Sequence, residues 1–75
     1  MILPTKHISL QESLLGLGAL ILTYMEKPKT VSELWDIIRK TPAITTFEQF
    51  TLVLDFLYVI GAIEFEHGRL RRKKL

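Results

Sequence analysis

Apolar side chains recur every three or four residues through most of this chain, and every second residue near its end. The longer spacing is typical of helices, so we predict helices over Leu10–Met25, Val31–Lys40 and Phe47–Ile60. Pro28 follows the first helix, and Gly61 follows the third, where a left-handed residue commonly ends a helix.

The three predicted helix starts share one signature. A hydroxyl residue is followed three positions later by glutamate in Ser9–Glu12, Thr30–Glu33 and Thr45–Glu48. In such a capping box, hydroxyl and carboxylate each accept a hydrogen bond from a main-chain N–H that the first helical turn leaves unpaired. Its recurrence before each apolar run supports three separate helices.

Beyond Gly61 apolar and charged residues alternate, as in a strand with one buried face. We predict a hairpin that turns at His67 and Gly68, because a two-residue loop there gives a self-consistent register. Ile63 joins the apolar face of that hairpin. The register pairs Glu66 with Arg69, Phe65 with Leu70, and Glu64 with Arg71.

Three helices followed by a hairpin is the order of elements in a winged helix. We therefore predict an α+β, mainly α fold, winged-helix-like, with residues 1–75 forming one domain, since two domains would each be too small to fold alone. The link at about residues 26–29 is too short for the strand often found there. Residues 1–3 are the candidate for a third strand.

The apolar content exceeds what so small a domain can bury. Hydrophobic residues make up 48% of the chain, and the apolar arcs of the first and third helices are wider than the roughly 100° that one core contact needs. We expect protein partners to cover the surplus. The candidate interface residues are Leu17, Leu20, Tyr24, Trp35, Leu52, Val53, Phe56 and Ile60.

Two features of these helices can be explained without a partner protein. Trp35 fits a place in the core or at its rim, which is where tryptophan is commonly found. Gly16 and Gly18 lower the helix propensity of the first helix. They predict close approach of another backbone, either within the domain or across an interface.

The end of the chain is strongly basic. Residues 1–68 hold five basic and eight acidic residues, a net charge of −3. The tail can contact nucleic-acid phosphates, pair with an acidic partner surface, or remain solvated, and the sequence leaves these alternatives open. The candidate phosphate contacts are Arg69, Arg71, Arg72, Lys73 and Lys74.

A small winged-helix DNA-binding transcription regulator is the alternative function. In that class the later helix of the helix-turn-helix enters the major groove. The third predicted helix is a poor fit, because no lysine or arginine lies between Lys40 and Arg69. An acidic, apolar helix is repelled by phosphate and makes few contacts with base edges.

No residue pattern indicates catalysis, a cofactor or a metal. His7 and His67 stand alone, the chain has no cysteine, and no glycine-rich loop is present to hold a phosphate. The longest uncharged stretch, Ser13–Met25, is too short to span a bilayer. The first residues lack the pattern of a signal peptide. We therefore expect a cytoplasmic protein that is not an enzyme and binds no membrane or small-molecule substrate.

Four segments carry a family resemblance: Met1–Lys6, Ser13–Ala19, Thr30–Trp35 and Leu54–Ile63. With them, nearly the whole chain resembles the small middle-component proteins of ABC three-component systems, bacterial conflict modules of the Lamassu type. The resemblance implies an adaptor that accompanies an ATPase with an SMC/Rad50-like head. It also implies a third, effector component, often a nuclease, in defence against phage or plasmids. It transfers no catalytic residue.

Overall fold

The computed structural model describes residues 10–73. Three helices are followed by one antiparallel hairpin, which confirms the predicted α+β, mainly α fold and its winged-helix order. The predicted cap at Ser9 and the candidate strand at residues 1–3 lie outside the described residues. The elements are α1 Leu10–Thr23, α2 Val31–Ile38, α3 Phe47–Val59, β1 Ile63–Glu66 and β2 Arg69–Arg72.

All three helices begin where predicted and end one or two residues early. After α1, Tyr24 N–H donates to Ile21 O at 3.0 Å, and Met25 N–H donates to Leu22 O at 3.1 Å. These bonds span three residues instead of four. The chain is therefore wound as a narrower 3₁₀ turn here, which commonly happens where a helix ends.

The start of α2 has the predicted capping box. Thr30 Oγ1 accepts from Glu33 N–H at 3.1 Å, and Glu33 Oε1 accepts from Thr30 N–H at 2.9 Å. The bond from the Thr30 N–H, followed by the one with the Thr30 side chain, lowers the pKa of Glu33. The carboxylate is therefore held in the charged form that the positive end of the helix dipole favours.

The cap of α3 lies one residue from its predicted position. Thr46 is the N-cap, and its hydroxyl accepts from Gln49 N–H at 3.1 Å. The Gln49 side-chain oxygen accepts from Thr45 N–H, also at 3.1 Å. The predicted box over Thr45 and Glu48 is therefore wrong. Thr46 and Gln49 have the same spacing one residue further on, but the Gln49 oxygen bonds to the N–H before the N-cap, so the reciprocal box is not completed.

Gly61 ends α3 as predicted. Its φ is +78°, in the left-handed region that favours glycine. Gly61 N–H donates to Tyr58 O at 3.0 Å, and Ala62 N–H donates to Leu57 O at 2.9 Å. This pair of bonds is a Schellman motif. It satisfies two carbonyls of the last turn and leads the chain directly into β1.

The hairpin has the predicted turn and register. The observed pairs are Ile63 with Arg72, Glu64 with Arg71, Phe65 with Leu70, and Glu66 with Arg69. His67 has a φ of 54° and Gly68 a φ of 76°. Two positive φ angles in a two-residue loop identify a type I′ turn, whose twist matches that of the paired strands.

One residue of the link between α1 and α2 takes the place of a third strand. Lys29 forms an isolated antiparallel bridge with Leu70 of β2. Lys29 N–H donates to Leu70 O at 3.0 Å, and Leu70 N–H donates to Lys29 O at 2.7 Å. The link is too short for a strand, as predicted, but it still pairs with the outer edge of β2.

The core fills the space between the three helices and one face of the hairpin. Each helix contributes residues from one side, and Ile44 joins them from the loop before α3. The buried apolar residues are Leu14, Leu17, Ile21, Met25, Leu34, Ile38, Ile44, Phe50, Val53, Leu54, Leu57, Ile63 and Leu70.

Trp35 lies at the rim of this core, which is the alternative to an interface position that the sequence leaves open. The Trp35 ring is half-buried, and its centroid lies 5.4 Å from that of Phe47 in an edge-to-face arrangement. Its centroid is 5.3 Å from that of Phe50, which is fully buried. These spacings are favourable for aromatic pairs. The cluster ties α2 to the first turn of α3.

The two glycines of α1 have different surroundings. A Cβ added at Gly18 would lie 2.7 Å from Leu57 Cδ2, whereas one added at Gly16 would have nothing within 4 Å. Gly18 therefore makes room for α3 inside the domain, although the close neighbour is a side chain and not a backbone. Gly16 has no such role among the described residues.

Candidate protein interface

The described part of the chain exposes many large apolar side chains. Val59 is 82% exposed and Tyr58 61%, so neither takes part in the core in any substantial way. In a domain with so small an interior, such residues point to a surface that another protein covers. The exposed large apolar residues are Leu15, Tyr24, Phe47, Leu52, Tyr58, Val59, Ile60 and Phe65.

The structure divides the eight interface residues proposed from the sequence into three groups. Leu17 and Val53 are 1% and 0% exposed, so they are core residues and offer no surface to a partner. Both belong to the wide apolar arc of their helix, in which the sequence alone does not separate core positions from surface positions. The half-buried residues are Leu20, Trp35 and Phe56, and the exposed ones are Tyr24, Leu52 and Ile60.

Several exposed residues were not among these candidates. Leu15, Phe47 and Tyr58 belong to the apolar arcs, and Phe65 belongs to the apolar face of the hairpin. Val59 is the most exposed of the large apolar residues described. Its helical position, about 160° around α3 from the buried Leu57 at 100° per residue, is the signal that would have identified it.

Four residues form a continuous apolar stripe on α3, which we call the α3 outer surface. Leu52, Phe56, Val59 and Ile60 stand at positions i, i+4, i+7 and i+8, so they follow one side of the helix. Phe56 packs partly against the core and anchors the stripe. The other three side chains are each about half exposed or more.

A second apolar surface lies on the other flank of α3, where the helix faces the hairpin. This hairpin groove is open and encloses about 350 Å³. Asp55 is its only acidic lining residue, and no ion pair of Asp55 occurs in the described part of the chain. The groove is lined by Val31, Thr51, Leu54, Asp55, Tyr58, Ile63, Phe65 and Leu70.

The basic tail is partly neutralised within the domain. Arg71 forms an ion pair with Glu64 and lies 3.5 Å from a carboxylate oxygen of Glu66. The hydrogen bond with Glu64 raises the pKa of Arg71. The predicted pairing of Glu64 with Arg71 is thus observed, whereas Glu66 approaches Arg71 and His67.

The remaining basic residues differ in their surroundings. Arg69 is close enough to Glu33 to help lower the pKa of that carboxyl. Arg72 and Lys73 are exposed, and no ion pair of either occurs among residues 10–73. Lys74 lies outside the described residues. Arg71 is therefore engaged within the hairpin, whereas Arg72 and Lys73 are open to a contact from outside the domain.

The exposed side of α3 is unsuited to reading DNA. Glu48 and Asp55 project from it beside Leu52 and Val59, and the helix carries no basic residue. A helix that enters the major groove needs donors for phosphates and base edges. The chemistry of this face fits an apolar protein contact better than a nucleic acid.

The described residues show no metal-binding cluster. No group of three or more histidine, cysteine, aspartate or glutamate side chains comes together among them. None of the described helices is long and apolar enough to cross a membrane. Ser13 is buried, and its hydroxyl has no hydrogen-bond partner in this part of the structure.

Comparison with known families assigns the chain. Searches of curated proteins and of solved structures found no significant match. A family model described as "ABC-three component (ABC-3C) system Middle Component 6" matches residues 3–73, nearly the entire length. The match agrees with the resemblance of the sequence to middle components of three-component systems. The chain belongs to the ABC-three component system Middle Component 6 family.

Proposed function

We propose that the chain is a non-enzymatic adaptor subunit that binds the other components of its three-component system through exposed apolar surfaces. Its partners would be an ATPase with an SMC/Rad50-like head and an effector component. The assembly would act in the cytoplasm in defence against phage or plasmids, as a Lamassu-type system. The membership of the family supports the role as a component of a larger assembly.

The α3 outer surface is the observation that carries this proposal. Leu52, Val59 and Ile60 are exposed apolar residues on one side of a helix, next to the half-buried Phe56. Burying such a stripe against a partner gains roughly 25 cal/mol for each Å² of apolar surface removed from water. Apolar residues aligned on one side of a helix are expected where the helix contacts another protein. A helix surface that stays covered by water does not require them.

Further exposed residues on α1 extend the candidate surface. Leu15 is exposed on its outer side, and Tyr24 follows the C-terminal end of the helix. Gly16 is also exposed, and a Cβ added to it would meet no atom of the described residues within 4 Å that would explain a glycine there. Close approach of a partner backbone to α1 accounts for this residue.

Co-expression with the products of the neighbouring genes tests the proposal. The tagged wild-type chain should capture at least one of them. Because its apolar surfaces are exposed, we expect the isolated chain to self-associate and the complex to be monodisperse. Leu52→Gln and Val59→Gln should each reduce capture roughly tenfold or more, because they place an amide in the apolar contact. Ser32→Gln is the matched control, because it introduces the same side chain at an exposed helical position away from this surface.

Two results would contradict the adaptor role. One is a wild-type chain that stays monomeric in isolation and captures none of the neighbouring products. The other is sequence-selective binding to duplex DNA by the isolated chain, measured by electrophoretic shift against random duplex, which would favour the regulator. The defence role has its own test: plating efficiency of phages should rise when the gene for this chain is deleted from the intact system.

A further inference from the structure

One edge of the hairpin has main-chain groups without partners among residues 10–73. Lys29 bonds to the N–H and the C=O of Leu70, so these groups point away from β1. In an antiparallel ladder the residue opposite, Phe65, then points its own N–H and C=O away from β2. The same alternation applies to Ile63, and no hydrogen bond from either main chain to another element occurs within residues 10–73.

This edge has distinct chemistry on its two faces. On the inner face, Phe65 is 56% exposed and lines the hairpin groove beside Tyr58. On the outer face stand Glu64 and Glu66. On the paired side, β2 has the complementary pattern. Leu70 lies opposite Phe65, and Arg69 and Arg71 lie opposite the glutamates.

We infer that the free edge of β1 accepts a β-strand from a partner protein in which basic and apolar residues alternate. Its apolar side chains would cover Phe65 and enter the hairpin groove, and its basic side chains would face Glu64 and Glu66. The inference rests on the proposed adaptor function and names a second contact besides the α3 outer surface. Strand addition of this kind takes affinity from main-chain bonds and specificity from alternate side chains.

Charge complementarity supports a basic partner strand. On the paired side, Arg71 lies close to both Glu64 and Glu66, and Arg69 stands opposite Glu66; across the open edge, no strand among the described residues pairs with β1. Opposite charges directly across two strands stabilise their pairing, and like charges destabilise it.

The same chemistry disfavours a second copy of this chain as the partner. Antiparallel pairing of two β1 edges would bring Glu64 and Glu66 of one copy opposite the same residues of the other. The β2 strand has the complementary pattern, but Lys29 already occupies its outer edge at Leu70. These two features favour a different polypeptide over a second copy of this chain.

Phe65→Pro tests the inference in the complex formed with the neighbouring gene products. Because the Phe65 N–H points away from β2, proline removes an edge donor and leaves the ladder of the hairpin intact. Capture of the partner should fall roughly tenfold or more. Phe65→Thr is the matched control: it also removes the ring but keeps the N–H and a strand-compatible residue, so it should bind more tightly than Phe65→Pro.

Hydrogen exchange of the wild-type complex gives a second measurement that does not depend on folding of a variant. In the isolated chain, the amide of Phe65 should exchange rapidly and those of Glu64 and Glu66 slowly. Complex formation should protect the Phe65 amide at least tenfold. Raising the salt concentration from about 0.1 M to about 1 M should weaken the complex, because exposed charge pairs are screened.

The outcomes separate this inference from the proposed function. Capture of a partner with an unprotected Phe65 amide, and with equal affinities for the two Phe65 variants, overturns the strand addition and leaves the adaptor standing. Protection of that amide together with selective loss in Phe65→Pro supports it. If the wild-type chain captures no neighbouring product, the adaptor role fails and the strand addition with it.

Discussion

Lys29 and Leu70 exchange both of their main-chain hydrogen bonds, at 3.0 Å and 2.7 Å, although neither the link nor its neighbours form a strand with β2. The bridge is a single pair of residues in the place where a third strand would pair with β2. It ties the turn between α1 and α2 to the outer edge of the hairpin. Because Lys29 occupies this edge at Leu70, only β1 presents two successive outward-facing residues, Ile63 and Phe65, without a partner among residues 10–73.

The bridge predicts a strong dependence on the Lys29 N–H. Lys29→Pro removes this donor and leaves the Leu70 carbonyl without its partner, so the free energy of unfolding should fall by about 1–3 kcal/mol. Lys29→Ala keeps both main-chain bonds and should change it by less than about 0.5 kcal/mol. Urea unfolding followed by circular dichroism gives both values. Equal stability of the two variants would show that the bridge contributes nothing.

The hairpin shows how much of the fold a short sequence can specify. Its register was predicted pair by pair, because a turn at His67–Gly68 satisfies the charges and the apolar residues at once. A slip by one residue would reverse every side chain. The Lys29 bridge was not predictable in this way, since a single bridging residue has no periodicity.

The division between core and interface was harder to predict than the elements. On α3 the apolar arc runs from Val53, which is fully buried, to Val59, which is almost fully exposed. Both are valines, so composition alone does not separate them. Where almost all of a helix is apolar, only the directions of its neighbours decide which residues form the core, and these come from tertiary packing.

The two glycines of α1 predict opposite effects of the same substitution. Gly16→Ala adds a methyl group to open space on a helix, so it should raise the free energy of unfolding by about 0.5–1 kcal/mol. In Gly18→Ala the methyl group would lie 2.7 Å from Leu57 Cδ2, and Leu57 is buried. The clash should offset the helix gain and leave Gly18→Ala about 1–3 kcal/mol less stable than Gly16→Ala.

Thermal and urea unfolding of the two alanine variants measure this difference. A Gly18→Ala chain as stable as Gly16→Ala would mean that Leu57 moves aside without cost. If Gly16→Ala is more stable alone but captures less partner, Gly16 lies where a partner approaches α1, as the adaptor proposal holds.

The capping box of α2 predicts a pH dependence of stability. The Thr30 N–H bond lowers the pKa of Glu33 in the folded chain. A depressed pKa stabilises the folded state at pH above the ordinary glutamate value of about 4.3, and this contribution is lost as pH falls through the lower folded value. Asp36 contributes in the same direction, because its hydrogen bond with Arg39 lowers its pKa.

Glu33→Gln separates the charge from the cap. Glutamine keeps an acceptor for the Thr30 N–H but does not titrate, so the variant should lose less stability between pH 6 and pH 3 than the wild type. Glu33→Ala removes the acceptor and should be the least stable of the three at pH 6. Urea midpoints across this pH range give the comparison, and identical slopes for Glu33→Gln and wild type would contradict it.

The ion pair of Arg71 predicts that the basic residues of the tail differ in their roles. Arg71 is held by Glu64, whereas Arg72 and Lys73 are exposed and have no ion pair among residues 10–73. If the tail contacts phosphate, replacing Arg72, Lys73 and Lys74 with serine should weaken DNA binding by the assembly equally for all sequences. The salt dependence should become shallower, by about one unit of slope for each lost contact.

Arg71→Ser, the matched single change, should instead act on the hairpin and leave the slope nearly unchanged. Electrophoretic shifts at two salt concentrations, with a pull-down of the same variants, measure both effects. If the triple variant no longer assembles, these residues belong to the protein interface, and if DNA binding is unaffected, the tail does not contact phosphate.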